Sequence, residues 1–414
     1  MVKLGATSEG GVLWAVAVLT FAAGFTAQFF AQGVTLFLRE AGVASSVIGL
    51  IYIAAIPYTL RFVWAPLIDR TSLGGPSRFG RWIISSLAAL CAALALLSLF
   101  DPATNAMLII TGVGLGMLIL GTLQTALGGL MVEGLSQRLY PRGASMQAAM
   151  SAAAGMVLGG CVLYLIGPFG WAAVVWSLVA VSVGVLLLAL TFLNLDHQAT
   201  EAPQSTPRLY DQFSIFKDKR ARKLLGVSIC VSAAVVLPYA MKPVLLIDAG
   251  FDVAQSGLIG IVGGNAAGFF GAVVARPLVE QLGGLRVLTI LAILNVLIVG
   301  TFTLVSKDTL LPFMIVLLVL FANLSVFAAY TASRSVLMPL CQPGQQATHL
   351  AGFVGAEAVL FLIIAGASIS SLDKVGLTTI LCAGIAASVL GAFLASRVGK
   401  EWAQQGEETI KRSV

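Results

Sequence analysis

Apolar residues run along this chain in blocks of about twenty to thirty, and polar and charged positions are confined to the gaps between them. Blocks of that length, rising ~1.5 Å per residue as helix, cross the ~30 Å hydrocarbon layer of a bilayer. The pattern predicts twelve spans, at about 11–37, 46–68, 81–100, 104–132, 145–167, 171–193, 223–247, 255–279, 287–305, 310–339, 349–371 and 377–397. Only the connection 194–222 is long. It is polar, contains proline and turns basic toward its end, and its stretch Tyr210 to Lys223 mixes Phe213, Ile215 and Phe216 with basic residues, as an amphipathic segment on a membrane surface would. The expected organisation is a six-helix half over 1–193, a cytoplasmic linker over 194–222, and a second six-helix half with a short cytoplasmic tail over 223–414. The fold class is an all-α membrane protein with two pseudo-symmetric halves.

Composition agrees with that reading. Of 414 residues 58% are hydrophobic and 10% charged, against about 25% charged in a soluble domain. The net charge of +6 does not imply nucleic acid, because the basic residues lie in short loops rather than on one face. With the N-terminus in the cytoplasm, most of the 24 basic residues fall inside, leaving Arg39, Lys307 and Lys374 outside and Arg61, Lys242 and Arg334 within spans. That asymmetry places both termini in the cytoplasm. The first apolar run is too long for a signal-peptide core and is expected to stay as a membrane helix.

A faint internal repeat supports duplication. Glu40-Ala41-Gly42 and Gly49 recur at one constant offset as Asp248-Ala249-Gly250 and Gly257, each set between an odd-numbered span and the next.

The three basic residues in spans carry the candidate chemistry. A central arginine costs roughly 2.5–3.5 kcal/mol on insertion scales, so it faces a water-filled cavity, a partner charge or a substrate, unless it snorkels to the headgroups from near a helix end. Arg61 follows Pro57-Tyr58 and Lys242 follows Pro238-Tyr239, so each cation has a tyrosine one turn earlier on the same face. A cation beside a phenol suits an anionic aromatic solute; interfacial packing is the bland alternative. Trp64, Tyr330, Gln28 and Gln124 complete the candidate substrate set of Arg61, Tyr58, Tyr239, Lys242 and Arg334. Gln28 shares a face with Gln32. Glu357, inside the eleventh span, is the candidate proton-coupling carboxylate, since apolar surroundings and a nearby cation act on its proton in opposite senses. A static ion pair with Arg334 is the alternative. Glu133 reads as a loop-anchoring charge paired with Arg81 or Arg142.

Other chemistries find no residues. The glycine-rich run Gly260 to Gly271 lacks the Gly-Lys-Ser/Thr ending of a phosphate loop, and Gly260, Gly264 and Gly268, four apart, suit close helix approach instead. No ATP-binding sequence is present, so transport must draw on a gradient or a partner. The five scattered cysteines and the histidines His197 and His349 form no disulfide pattern, metal cluster or cofactor site, and any metal carried would arrive inside an organic chelator. Neither an enzyme nor a nucleic-acid binder is expected.

The stretch Pro57 to Arg70, reading Pro-Tyr-Thr-Leu-Arg-Phe-Val-Trp-Ala-Pro-Leu-Ile-Asp-Arg, resembles the second-helix signature of the anhydromuropeptide permease and acetyl-CoA transporter group of the major facilitator superfamily. The loop from Leu67 to Arg81 resembles that superfamily's cytoplasmic gating motif. The resemblance implies that Asp69, Arg70 and Arg81 gate the cycle by pairing across helix ends. Ala65-Pro66 stands where glycine is usual, and residues 71–79 lengthen the turn. Twelve spans together with Lys242-Pro243 and Asp248-Ala249-Gly250 are similar to the group's ferric-siderophore branch, the rhizobactin and pyochelin type of permease.

The resulting expectation is a monomeric, proton-coupled importer of an anionic, aromatic ferric siderophore in a bacterial inner membrane, working by rocking two halves about a central cavity. Uptake of anhydromuropeptides or another organic acid, drug export, and a sensor that binds without transporting are the alternatives.

Overall fold

The computed structural model describes residues 9–71, 78–158, 169–193, 215, 217–240, 242–304 and 312–413. The linker over 194–214, residues 210–214 and 216 of the expected amphipathic segment, and Cys161, His197 and Lys307 lie outside them. The described chain is helical throughout, as the block pattern requires, and ten of its helical stretches are long and apolar enough to cross a membrane. The expected fifth span runs out of the described residues after Leu158, and the seventh is interrupted at position 241. Two compact units are present: Met1–Ile215 with Cys341–Gly355, and Phe216–Leu340 with Ala356–Val414.

In the first unit α1 (Glu9–Gln28) passes through a π turn at Phe29–Gly33 into α2 (Val34–Glu40). The second span is broken into α3 (Ser45–Ile48), α4 (Leu50–Ala54), α5 (Ile56–Thr59), a 3-10 turn at Leu60–Val63 and α6 (Ala65–Arg70). Pro57 and Pro66 each stand in the first turn of a new helical piece, where a missing N–H costs nothing, and they cannot continue the preceding one. The unit continues with α7 (Arg78–Leu97), α8 (Ala106–Gly134), α9 (Tyr140–Val157) and α10 (Trp171–Phe192). The α4 and α5 pieces lie against α8, and α1 packs on α9 and α8. Phe29 and Phe30 are fully buried, and Phe29 and Phe37 both meet the Trp171 ring.

The second unit contains α11 (Lys219–Ala240), α12 (Lys242–Asp248), α13 (Val253–Gly257), a π turn at Leu258–Gly263, α14 (Gly264–Leu282), α15 (Gly284–Leu304) and α16 (Pro312–Leu337). The last helix, α17 (Gln346–Ser413), is interrupted at Gly376, whose φ of 78° breaks the helical path. The glycine spacing works as expected for close approach. A Cβ on Gly268 would strike Phe327 at 2.6 Å and one on Gly271 would strike the Leu324 carbonyl oxygen at 2.2 Å, so α14 and α16 meet nearly backbone to backbone.

The sequence repeat has a structural cause. After α2, Gly42 adopts φ 78°, and the N–H groups of Ala41, Gly42 and Val43 donate to the carbonyls of Phe37, Arg39 and Leu38. After α12, Gly250 adopts φ 92°, and Ala249, Gly250 and Phe251 donate to Leu245, Ile247 and Leu246. The same glycine-terminated helix end therefore occurs at the same place in both halves of the chain, and only glycine enters that left-handed region without cost.

Candidate functional site

In the first unit the broken second span presents its polar side chains beside α8. The Arg61 guanidinium carbon lies 4.6 Å from the centre of the Tyr58 ring, and Nη1 donates to the Tyr58 carbonyl oxygen at 3.3 Å. That carbonyl is freed because the chain changes from α to 3-10 geometry here. Trp64 Nε1 donates to Thr122 Oγ1 of α8 at 3.1 Å. Gly121 lets the segment approach: an added Cβ would lie 3.2 Å from Arg61 Cβ and 3.4 Å from Trp64 Cζ2. Tyr58, Arg61 and Trp64 are thus brought together, all half-buried. Gln124, one turn further along α8, accepts from Gln147 at 3.3 Å, while Gln28 accepts from Gln32 at 2.6 Å within the first span.

The second unit holds two cation sites. Lys242 Nζ lies 4.8 Å from the Tyr239 ring centre and 3.5 Å from Asn323 Oδ1, and Tyr239 meets Phe361 edge-on at 5.7 Å. Arg334 repeats the cation-on-tyrosine arrangement with Tyr330, at 4.6 Å, and differs in having a carboxylate: its Nη2 donates to Glu357 Oε2 at 2.8 Å. The other Glu357 oxygen, Oε1, is 2.6 Å from Ser228 Oγ and 2.7 Å from Ser333 Oγ, and these two hydroxyls are 2.9 Å apart. Neither Arg61 nor Lys242 has a carboxylate within 4.0 Å among the described residues.

A third cluster is built at the end of α6 in the first unit. Asp69, 1% exposed, accepts the Ala347 N–H at 3.3 Å on Oδ1 and the Thr348 N–H at 2.7 Å on Oδ2, and so caps the first turn of α17. The arginine beside it is Arg78, 3.9 Å from Asp69 Oδ1, whereas the motif resemblance implies Arg70 and Arg81 as its pairing partners. Arg70 follows Asp69 directly, points a further ~100° around α6 and is exposed; Arg81 lies one turn into α7, half-buried. Arg78, at the start of α7, reaches back: Nη1 donates to the Asp69 carbonyl at 3.0 Å, and Nη2 donates to Glu133 at 2.8 Å and to Gln346 at 3.1 Å. Glu133 is thus held by Arg78. Burial pushes the Asp69 carboxyl up to about 6, against the opposing pull of its Thr348 and Ala347 hydrogen bonds and the Arg78 charge.

Sequence reasoning does not single out three of these residues. Arg78 lies inside what reads as a lengthened turn, and Ser228 and Ser333 are small hydroxyl residues of a kind scattered through every span. The one available signal for Ser333 is its position immediately before Arg334.

The profile of the Major Facilitator Superfamily matches residues 16–356, most of the chain. The chain belongs to the Major Facilitator Superfamily. It is a multi-pass membrane transporter and not an enzyme. Among curated relatives, the anhydromuropeptide permease of Escherichia coli K12 is 21% identical over 398 residues, covering 91% of this chain and 77% of the relative. An uncharacterized protein of Haemophilus influenzae is 29% identical over 174 residues; the match spans 40% of either chain, well under two thirds of that relative's length. Solved transporter structures agree in fold. A bacterial homologue of the iron transporter ferroportin superposes with a TM-score of 0.73 at 14% identity, covering 95% of this chain and 99% of the other. The transporter FucP gives 0.70 at 14% identity with 95% and 99% coverage, and the human organic anion transporter TETRAN gives 0.70 at 15% with 94% and 99%.

Proposed function

We propose that this superfamily member imports an anionic organic solute across a bacterial inner membrane, with both termini cytoplasmic, and that its cargo is a ferric siderophore of the pyochelin type, carrying acidic and aromatic groups. One observation carries the reading: Arg61 and Lys242 are cations within spans, each over a tyrosine ring and without a carboxylate within 4.0 Å among the described residues. A cation over a ring recovers about 0.5–2 kcal/mol, less than the roughly 2.5–3.5 kcal/mol that a central arginine costs. The remainder is supplied by water and by an anion that arrives with the substrate. Arg61 and Lys242 then hold the carboxylate or phenolate, Tyr58, Trp64 and Tyr239 contact the rings, and Gln28 and Gln124 offer amides.

Transport is driven by protons through Glu357, whose charge, paired with Arg334, is cancelled when a proton arrives. Asp69, seated on the first turn of α17 and held by Arg78, is the latch of the cycle, with Arg70 and Arg81 in supporting positions. The working division is a six-helix half over 1–193, the linker 194–222 and a second half over 223–414. The test is uptake of radio-iron-labelled ferric pyochelin into right-side-out vesicles, with and without an imposed proton gradient. Accumulation only with the gradient is expected; no accumulation under either condition overturns the cargo.

A second reading, uptake of anhydromuropeptides, is favoured by the 21% identical permease that aligns over 91% of this chain. Accumulation of a labelled anhydromuropeptide with ferric pyochelin excluded would select it.

A further inference from the structure

Glu357 Oε1, Ser228 Oγ and Ser333 Oγ form a triangle with sides of 2.6, 2.7 and 2.9 Å, each side at hydrogen-bond length. Each hydroxyl owns one proton, so two serines supply two protons for three contacts. An ionised Glu357 leaves one side without a hydrogen, and two oxygens then face each other with lone pairs only. One additional proton on Oε1 completes the set: Glu357 donates to one serine, that serine donates to the other, and the second serine returns its proton to Oε1. Glu357 Oε2 keeps its lone pairs and still accepts from Arg334 at 2.8 Å.

We infer that Ser228 and Ser333, together with Glu357, make a proton-binding triangle in the second unit, with the serines as the positioning residues that hold the bound proton between oxygens. The inference rests on the proton-coupling reading of Glu357 given above and adds to it the atoms that receive the proton. The proton comes from water, goes to Oε1, and cancels the carboxylate charge. Arg334 is the ionisable side chain bonded to Glu357 among the described residues, and it stands one turn from Tyr330. All four side chains come from three elements of one unit: Ser228 from α11, Ser333 and Arg334 from α16, and Glu357 from α17. Both serines are buried, and Glu357 is 19% exposed, enough for a proton to enter.

The test needs no knowledge of the cargo. The full-length protein in lipid is titrated with acid while infrared difference spectra follow the carboxylic-acid C=O band, over the pH range in which the protein stays folded. A band that Glu357→Gln removes, or that Glu357→Asp moves should the glutamine variant fail to fold, belongs to this residue. The triangle predicts that Ser228→Ala and Ser333→Ala each displace that band, and that Ser228→Thr and Ser333→Thr, which keep the hydroxyl, restore it to the wild-type position. Absence of any acid band assignable to Glu357, or a band left in place by either alanine substitution, overturns the proposal. Ferric pyochelin uptake is read on the same preparation. Loss of uptake with the displaced-and-restored band counts against the cargo and leaves the triangle standing, whereas uptake without the band counts against the triangle alone.

Discussion

Arg61 and Arg334 are both guanidiniums inside apolar spans, and each lies 4.6 Å from the centre of a tyrosine ring. They differ in what meets the charge. Arg334, with its side chain 3% exposed, is bonded to Glu357 at 2.8 Å, whereas Arg61 donates to a backbone carbonyl on a broken helix and has no carboxylate within 4.0 Å among the described residues. The same residue type over the same kind of ring is thus paired with a carboxylate at one place and, among the described residues, has none within 4.0 Å at the other. Stability and transport should therefore respond to the two arginines in opposite proportion.

The largest effect expected is on folding at the neutralised site. Arg334→Ala leaves Glu357 without its ionic partner, a change that costs about 3–5 kcal/mol. A substantially lower melting temperature is expected, with much of it regained when Glu357→Gln is added; an unchanged melting temperature in Arg334→Ala would remove the contrast.

Next comes Asp69, which extends the comparison to a carboxylate. Its folded value of about 6 lies above the ordinary value of 3.8, so the fold prefers the protonated form. The stability this confers is complete below about 3.8 and is lost as pH rises through about 6, by roughly 3 kcal/mol. Asp69→Asn should flatten that part of the melting-temperature profile and slow turnover more than it weakens substrate binding. A profile identical to wild type, or weakened binding with full turnover, would contradict the assignment.

Arg61→Ala removes charge-assisted hydrogen bonds to the substrate worth about 1.5–3 kcal/mol, roughly a tenfold to hundredfold loss of affinity, with little change in melting temperature. Binding at wild-type strength by a normally inserted Arg61→Ala would sink the substrate role. Smallest is Trp64→Phe, which forfeits the hydrogen bond to Thr122 and about 0.5–1.5 kcal/mol, and is expected to loosen the Arg61 segment and raise the half-saturating substrate concentration a few-fold. Maximal rate falling while half-saturation stays put would place Trp64 elsewhere in the cycle.

Much of this arrangement is legible in the amino-acid sequence. Block length predicts the spans, and Pro-Tyr-x-x-cation anticipates the stacking of Arg61 and Lys242 on their tyrosines, since residues three apart share a helix face. The Gly42 and Gly250 helix ends account for the repeat. What stays hidden is whatever depends on meeting another helix. Glu357 and Arg334 lie on different helices, so the sequence leaves coupling and static pairing both open, and Ser228, more than a hundred residues from either, carries no pattern. Arg78 is concealed for another reason: the turn at 71–79 is longer than the motif it resembles, which makes Arg70 and Arg81 look like the natural partners of Asp69.

Two proposed roles bear most of the weight: the movement of a proton by Glu357 and the holding of an anion by Arg61. Gradient-driven uptake and substrate exchange, measured side by side for the double variant Arg334→Gln/Glu357→Gln after its folding has been verified, test that pairing of roles most directly. The double variant is predicted to fold and exchange substrate across the membrane yet fail to accumulate it against a gradient. Accumulation at wild-type levels would show the ion pair to be structural and would contradict the coupling role of Glu357.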